Sequence, residues 1–254
     1  MFENALAAGI HKNVNDILME RDNFNGKIVV DLACGDGRTT YVLRSLGAEV
    51  RPYDIFPEYS KLDDTPKYAD LNEQLPIESE SVDFVILQEV MEHLPDQLFA
   101  LQEISRILKP GGELFLTTPN RSSLVSKFAY LCFESENLRG TPPSAEEGVW
   151  GQNETGTRKY YGHLFLIGVQ QLRTLAMVAG FRSFRLMKSD RSTSSVALAI
   201  PFYVVVLAVS LKAYLRARRK EDDATYRREK WAQFVLNISP RALTNKYLIA
   251  SLVK

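Results

Sequence analysis

The stretch KIVVDLACGDGRTT, residues 27–40, constrains the fold more than any other part of the chain. Its apolar half, 27–32, reads as a buried strand, and it runs straight into a turn carrying Gly35 and Gly37. Glycines there permit a tight turn and a close approach of backbone to a ligand. A helix over 38–46, stopped by Gly47, would then present free N–H groups to a negative group. A second strand over 48–54 ends at Asp54, 19 residues past Gly35, where a carboxylate can accept two ribose hydroxyl hydrogen bonds. The third glycine of the dinucleotide fingerprint is missing after Gly37.

The rest of the chain repeats the strand–helix rhythm. Strands are expected over 68–71, 82–88 and 113–118, with a helix starting directly after 88 and another over 97–108 capped by Asp96. An amphipathic helix is expected over 3–20, with Leu6, Ile10, Val14, Ile17 and Leu18 on one face. A later helix over 169–179, a strand over 181–188 and the closing NKYLIASLVK complete the pattern. Alternation of this kind predicts a mainly parallel sheet covered on both faces. With 254 residues, one α/β domain fills the chain.

Composition narrows the partners. Basic and acidic residues balance at 31 each, so no nucleic acid is expected. The two cysteines, Cys34 and Cys132, form no disulfide framework, which fits a reducing, cytoplasmic setting. The opening residues lack a basic start followed by an apolar run, so no signal peptide is expected.

Three segments in order carry a family resemblance. VVDLACGDGRTT resembles motif I of class I S-adenosylmethionine (SAM)-dependent methyltransferases; ADLNEQLPIESESVDFVILQEVMEHL and LQEISRILKPGGELFLTTPN resemble the parts that follow. The likeness is close over residues 26–120, and it points to the type 11, ubiquinone-biosynthesis-like branch with its EVxEH motif. It implies a Rossmann-like, doubly wound sheet of seven strands, the last antiparallel. It also implies a SAM site in which Asp31, Ala33, Gly35 and Gly37 line the methionine side. Asp54 would hold the ribose beside Ile55, Asp70 the adenine amino group beside Leu71, and Gln88 would lie under the sulfonium.

Glu89, Glu92 and His93 follow the fourth strand, within one 100° arc if that segment is helical. Two carboxylates and an imidazole suit Mg2+ or another divalent cation. The EVMEH run is similar to the EVxEH of ubiquinone-pathway and small-RNA methyltransferases that use one, and His163 stands where a later histidine of those families can contribute. Without metal, Glu92 is a helix N-terminal charge and His93 the candidate general base.

Two insertions interrupt the pattern. Residues 121–160, with aromatics, glycines and Pro142-Pro143, are expected to form a lid over the acceptor. Residues 190–240 hold 20 uncharged positions, 192–211, interrupted by Pro201, then Arg216, Arg218, Arg219 and Lys220. The resemblance implies that the flanking FRSFRLMK and NKYLIASLVK pair in one sheet, and a single crossing of a membrane would put them on opposite sides. A surface-lying or re-entrant helix at the inner face of the cell membrane, with Tyr214 and Trp231 at the interface, is one reading. A buried helix or a homodimer contact is the other. The expected activity is methyl transfer to an oxygen of a lipid-linked or membrane-associated acceptor, glycan intermediate or quinone-like lipid. A soluble small-molecule methyltransferase and a non-catalytic SAM-binding scaffold are the alternatives.

Overall fold

The structure, a computed structural model, describes residues 9–21, 24–135, 138, 142–152, 156, 157, 159–221 and 223–254. Its centre is a seven-stranded sheet. The strands in chain order are β1 (Ile28–Leu32), β2 (Glu49–Asp54), β3 (Lys67–Tyr68), β4 (Val82–Gln88), β5 (Leu108–Pro119), then β8 (Ser183–Leu186) and β9 (Tyr247–Val253). A separate hairpin, β6 (Val149–Gln152) with β7 (Lys159–Tyr161), lies between them in sequence. The sheet order is β3-β2-β1-β4-β5-β9-β8, with β9 antiparallel to both neighbours and every other pair parallel. The sequence-derived fold class is therefore the observed one.

Alternating side chains explain the two-layer cover. Along β4, Phe84 and Ile86 face one core with Val14 and Leu18 of α1 (Gly9–Met19) and Leu43 of α2 (Arg38–Ser45). Val85 and Leu87 face the other, with Leu101 and Ile104 of α3 (Gln97–Ile107) and Leu172 of α5 (Val169–Val178). Strands buried on both faces need continuous apolar runs, which β4 and β9 supply. The strand order reverses between β1 and β4, and the carboxyl edge of that junction is where such sheets bind ligands.

Several expected elements moved. The helix expected directly after β4 is a single 3-10 turn, Met91–His93, because Pro95 holds Leu94 extended and α3 restarts behind Asp96. Asp96 caps α3 as expected, accepting from the Phe99 amide. The third strand shrinks to Lys67–Tyr68, since Asp70 turns the chain by accepting the Asn72 amide at 2.8 Å. The fifth begins at Leu108, where a register shift lets the KPGG segment join the ladder. Of the expected helix 3–20, residues 3–8 with Leu6 lie outside the described residues.

The insertions also take form. Within 121–160 the chain builds α4 (Leu124–Phe133) and the β6–β7 hairpin; residues 136, 137, 139–141, 153–155 and 158 lie outside the described residues. Between β8 and β9 come α6 (Thr193–Arg218), α7 (Ala224–Asn237) and α8 (Pro240–Thr244). Pro201 does not interrupt α6, which is continuous through it. The missing Pro201 N–H forfeits one ladder bond, a loss that the 26-residue helix absorbs.

Candidate active site

The glycine turn is shaped by backbone needs. Ala33, Gly35 and Gly37 have φ of 55°, 55° and 85°, in the left-handed region. Gly37 starts α2, and a Cβ there would sit 2.3 Å from Leu62 Cγ, so a side chain at this position would displace Leu62. A Cβ on Gly35 would meet nothing within 4 Å. The end of β2 braces this turn: Asp54 accepts the Gly35 amide and the Phe56 amide, each at 2.8 Å. Asp31 points elsewhere. It is buried and accepts from Thr40 Oγ1 at 2.6 Å, fastening α2 to β1. Burial, partly offset by that bond, raises its pKa to about 7.

A cavity of about 220 Å3 opens beside the turn at the carboxyl ends of β1, β2 and β4. Ala33, Asp54, Ile55, Asp70, Leu71 and Gln88 line it, together with Glu89 and His93. Of the residues expected at the SAM site, Asp31, Gly35 and Gly37 are not among its lining residues; Gly35 is tied to the lining residue Asp54 through its amide. Gln88 donates from Nε2 to Thr39 Oγ1 at 2.8 Å, and its Oε1 is buried with no partner among the described residues. That is an acceptor waiting for an N–H or cationic donor.

Sequence reasoning missed part of the wall. Phe56, Asn72 and the tyrosines of β7, Tyr160 and Tyr161, also line the cavity. Tyr160 meets the Phe56 ring edge-on at 5.3 Å, which lays the β6–β7 hairpin over the opening. The doubled tyrosine just before His163 was the available signal. Phe165 ties the same segment down: its amide donates to Glu92 O at 3.0 Å, and its carbonyl accepts from Gln97 Nε2.

The acidic–histidine cluster forms by a route other than a helix face. Glu89 sits at φ 52°, a strained conformation for a non-glycine, at the mouth of β4. Its Oε1 accepts from Thr117 Oγ1, and its amide donates to Thr117 O, so β5 fixes it. Glu92 is fully buried and accepts from Thr118 Oγ1 at 2.8 Å. His93 places Nδ1 2.7 Å from Tyr161 O, which assigns the proton to Nδ1 and leaves the Nε2 lone pair 3.9 Å from Glu92 Oε1. The His163 ring lies 5.1 Å from that of His93. Donor atoms of Glu92, His93 and His163 all fall within 4.8 Å of one another, while Glu89 turns to Thr117. Burial lowers the His93 pKa, keeping it neutral at pH 7. Burial, then the nearby Glu92 charge, raises Glu89 to about 7.

The model of the methyltransferase domain family matches residues 3–184. The chain belongs to the class I SAM-dependent methyltransferases. Its cofactor is SAM. This methyltransferase is 34% identical over 117 residues to a ubiquinone biosynthesis O-methyltransferase of Xanthomonas oryzae, covering 42% of the chain and 49% of that relative. A relative of the same description from Xylella fastidiosa is 28% identical over 117 residues, with 42% and 48% covered. The chain thus spans about half the length of the curated relatives it matches. A SAM-dependent methyltransferase structure from Archaeoglobus fulgidus aligns with a TM-score of 0.56 at 14% identity, covering 100% of this chain and 98% of that one, and shows the same fold.

Proposed function

We propose that the methyltransferase moves the methyl group of SAM to an oxygen of a membrane-associated acceptor. The observation that carries the reading is the cavity at the β1–β4 junction, with two buried carboxylates, Asp54 and Asp70, and the unpartnered Gln88 Oε1 on one wall and His93 on another. This donor set fits SAM. Asp54 and Asp70 are acceptors for ribose hydroxyls and the adenine amino group. Ile55 and Leu71 are apolar surface for the base, and Gln88 Oε1 is an acceptor for the ammonium end. Ala33, Gly35 and Gly37 leave the backbone close to the ligand.

Bound SAM supplies an electrophilic methyl group on its sulfonium. The protein's work is to align the acceptor oxygen, exclude water and take one proton. His93 suits the proton: Nδ1–H is held by Tyr161 O, so the neutral Nε2 receives the acceptor's hydroxyl proton as the oxygen–carbon bond forms. Glu92, 3.9 Å away, stabilises the imidazolium that results. Tyr160 and Tyr161 close the hairpin over the reacting groups.

A second reading of the cluster is favoured by the convergence of Glu92, His93 and His163. These three, without Glu89, which is held by Thr117, would hold a divalent cation that polarises the acceptor oxygen. Metal would occupy the same His93 lone pair, so the two readings exclude each other. Activity that survives a chelator assigns His93 as base. Loss restored by magnesium or manganese, and absent from Glu92→Gln, assigns the metal.

The membrane side of the proposal rests on α6. It is the one helix among the described residues long and apolar enough to cross a membrane, with Ile200, Val204 and Val209 82%, 69% and 63% exposed. Yet β8 and β9 pair in one sheet, and charged α7 packs back along α6. Both ends of the insertion therefore sit on the same side, and α6 lies in the interface plane with its basic end at the headgroups. The site accordingly works from one face of the membrane, which the reducing setting suggested by the two unpaired cysteines makes the cytoplasmic one. Titration of S-adenosylhomocysteine and flotation with anionic vesicles test the two halves. Absence of binding removes the enzyme reading and the scaffold reading alike. A protein left unfloated, and dimeric through α6, favours the soluble alternative.

A further inference from the structure

A second cavity of about 290 Å3 adjoins the first. Its lining comes from distant segments: Glu89 after β4, Arg121 after β5, Ser126 in α4, Ser192 at the cap of α6, and Lys246 with Tyr247 entering β9. Glu89 lines both cavities and stands at their boundary. The second chamber is thus positioned for the group that receives the methyl.

Its charge is distinctive. Arg121 and Lys246 face a single carboxylate, Glu89, among the lining residues. Among the described residues neither cation forms an ion pair. Arg121 is braced by stacking 4.3 Å over Tyr130 and spends one N–H on Leu166 O, which leaves further guanidinium donors for a ligand. Asn120, buried, bonds the carbonyls of Ala242 and Asn245 and fixes the loop that carries Lys246 next to the loop that carries Arg121. Lys246 lies 5.2 Å over the Tyr247 ring, and the two cations, with Ser126 and Ser192 lining the same cavity, suit an anion with several acceptor oxygens.

The chamber also borders the apolar face. Val125 of α4 lines it, and α4 packs on α6 with Phe128 and Phe202 rings 6.5 Å apart. Beyond them Leu131 and Ile200 are 81% and 82% exposed. A molecule with a charged head and a long apolar tail matches this sequence of surfaces.

We propose that the second cavity is the acceptor's headgroup subsite and takes a phosphate group, gripped by Arg121 and Lys246. The proposal rests on the methyl-transfer reading and narrows its acceptor from any membrane-borne alcohol to a phosphorylated one. A phosphate monoester carries a charge near −2 at neutral pH, which the two cations balance.

The test uses the full chain saturated with S-adenosylhomocysteine in neutral detergent micelles. Binding is measured by calorimetry for a polyprenyl phosphate, for the matching polyprenol, and for inorganic pyrophosphate as competitor. The phosphate form should bind at least about tenfold more tightly than the alcohol, about 1.4 kcal/mol. Arg121→Gln and Lys246→Gln should each cut that preference severalfold, with the affinity for S-adenosylhomocysteine unchanged. Lys246 is exposed, so its variant keeps the test alive if Arg121→Gln fails to fold. Competition by pyrophosphate at equal concentration supports the subsite and points to a water-soluble phosphorylated acceptor; failure to compete supports it with a lipid-borne one. Equal binding of phosphate and alcohol, or a preference that both variants retain, overturns it. Absence of S-adenosylhomocysteine binding by the parent protein is a different failure, that of the methyl-transfer reading itself.

Discussion

Replacing Gly37 by alanine separates two costs that the glycine turn avoids. At φ 85° an L-residue suffers a left-handed penalty of about 1–2 kcal/mol. The new methyl would also lie 2.3 Å from Leu62 Cγ and 2.8 Å from both its terminal carbons. Overpacking of that kind costs about 1–3 kcal/mol. Gly37→Ala should therefore destabilise by about 2–5 kcal/mol, a large share of a domain's typical 5–15. Leu62→Ala opens the space that the methyl needs. In the double variant the steric part vanishes and the backbone part remains, so the two substitutions should couple by about 1–3 kcal/mol in the favourable direction. Gly35→Ala is the control: its φ is 55° but its Cβ meets nothing, so only the backbone cost applies. Urea unfolding followed by circular dichroism reads all four proteins. Strict additivity of Gly37→Ala and Leu62→Ala, or a Gly35→Ala cost equal to that of Gly37→Ala, would refute the reasoning.

Three further outcomes follow from the site. Gln88→Met keeps the volume but removes the buried acceptor Oε1, and should weaken S-adenosylhomocysteine about tenfold by calorimetry; affinity within twofold of the parent would show that the ligand does not use that atom. Asp31, with a folded pKa of about 7 against an ordinary 3.8, favours its protonated form in the fold, so its contribution to stability is full at low pH and is lost as pH rises toward 7. Between pH 5 and 8 that loss is about 2–3 kcal/mol, and Asp31→Asn should abolish it in urea unfolding; parallel pH profiles for the two proteins would contradict this. His93, held below its ordinary value by burial, should give a kcat/KM that falls on acidification with an inflection below pH 6.5, and His93→Gln should flatten that limb.

What the sequence made legible was whatever depends on neighbours along the chain. β4 occupies 82–88 as expected because an unbroken apolar run bounded by turn residues has one reading. Asp96 caps α3 because an Ncap bond spans three residues. Gly35 and Asp54 meet at one corner because β1 and β2 of the βαβ unit pair side by side. The segment 89–93 has a helical pattern, yet Pro95 two positions beyond holds Leu94 extended and the Glu89 amide bonds Thr117 O of the ladder instead. Pro201 misled in the opposite direction, since a helix of 26 residues tolerates one lost bond that a short one does not.

The second chamber was invisible for a different reason. Glu89, Arg121, Ser192 and Lys246 are separated by tens of residues and carry no spacing that a one-dimensional pattern records. They meet because β9 inserts antiparallel between β5 and β8, which returns the start of the last strand to the carboxyl edge of β4 and β5. The long insertion ahead of β9 is therefore tied at both ends to the reacting edge of the sheet: Ser192 begins α6 beside the chamber and Lys246 closes the loop after α8 on its other wall. α6 and the proposed acceptor chamber are therefore joined through Ser192 and Lys246. On the proposed reading, an acceptor delivered along that helix would reach Glu89 by way of Arg121 and Lys246, so the charge of those two residues, more than the apolarity of α6, should decide what is methylated.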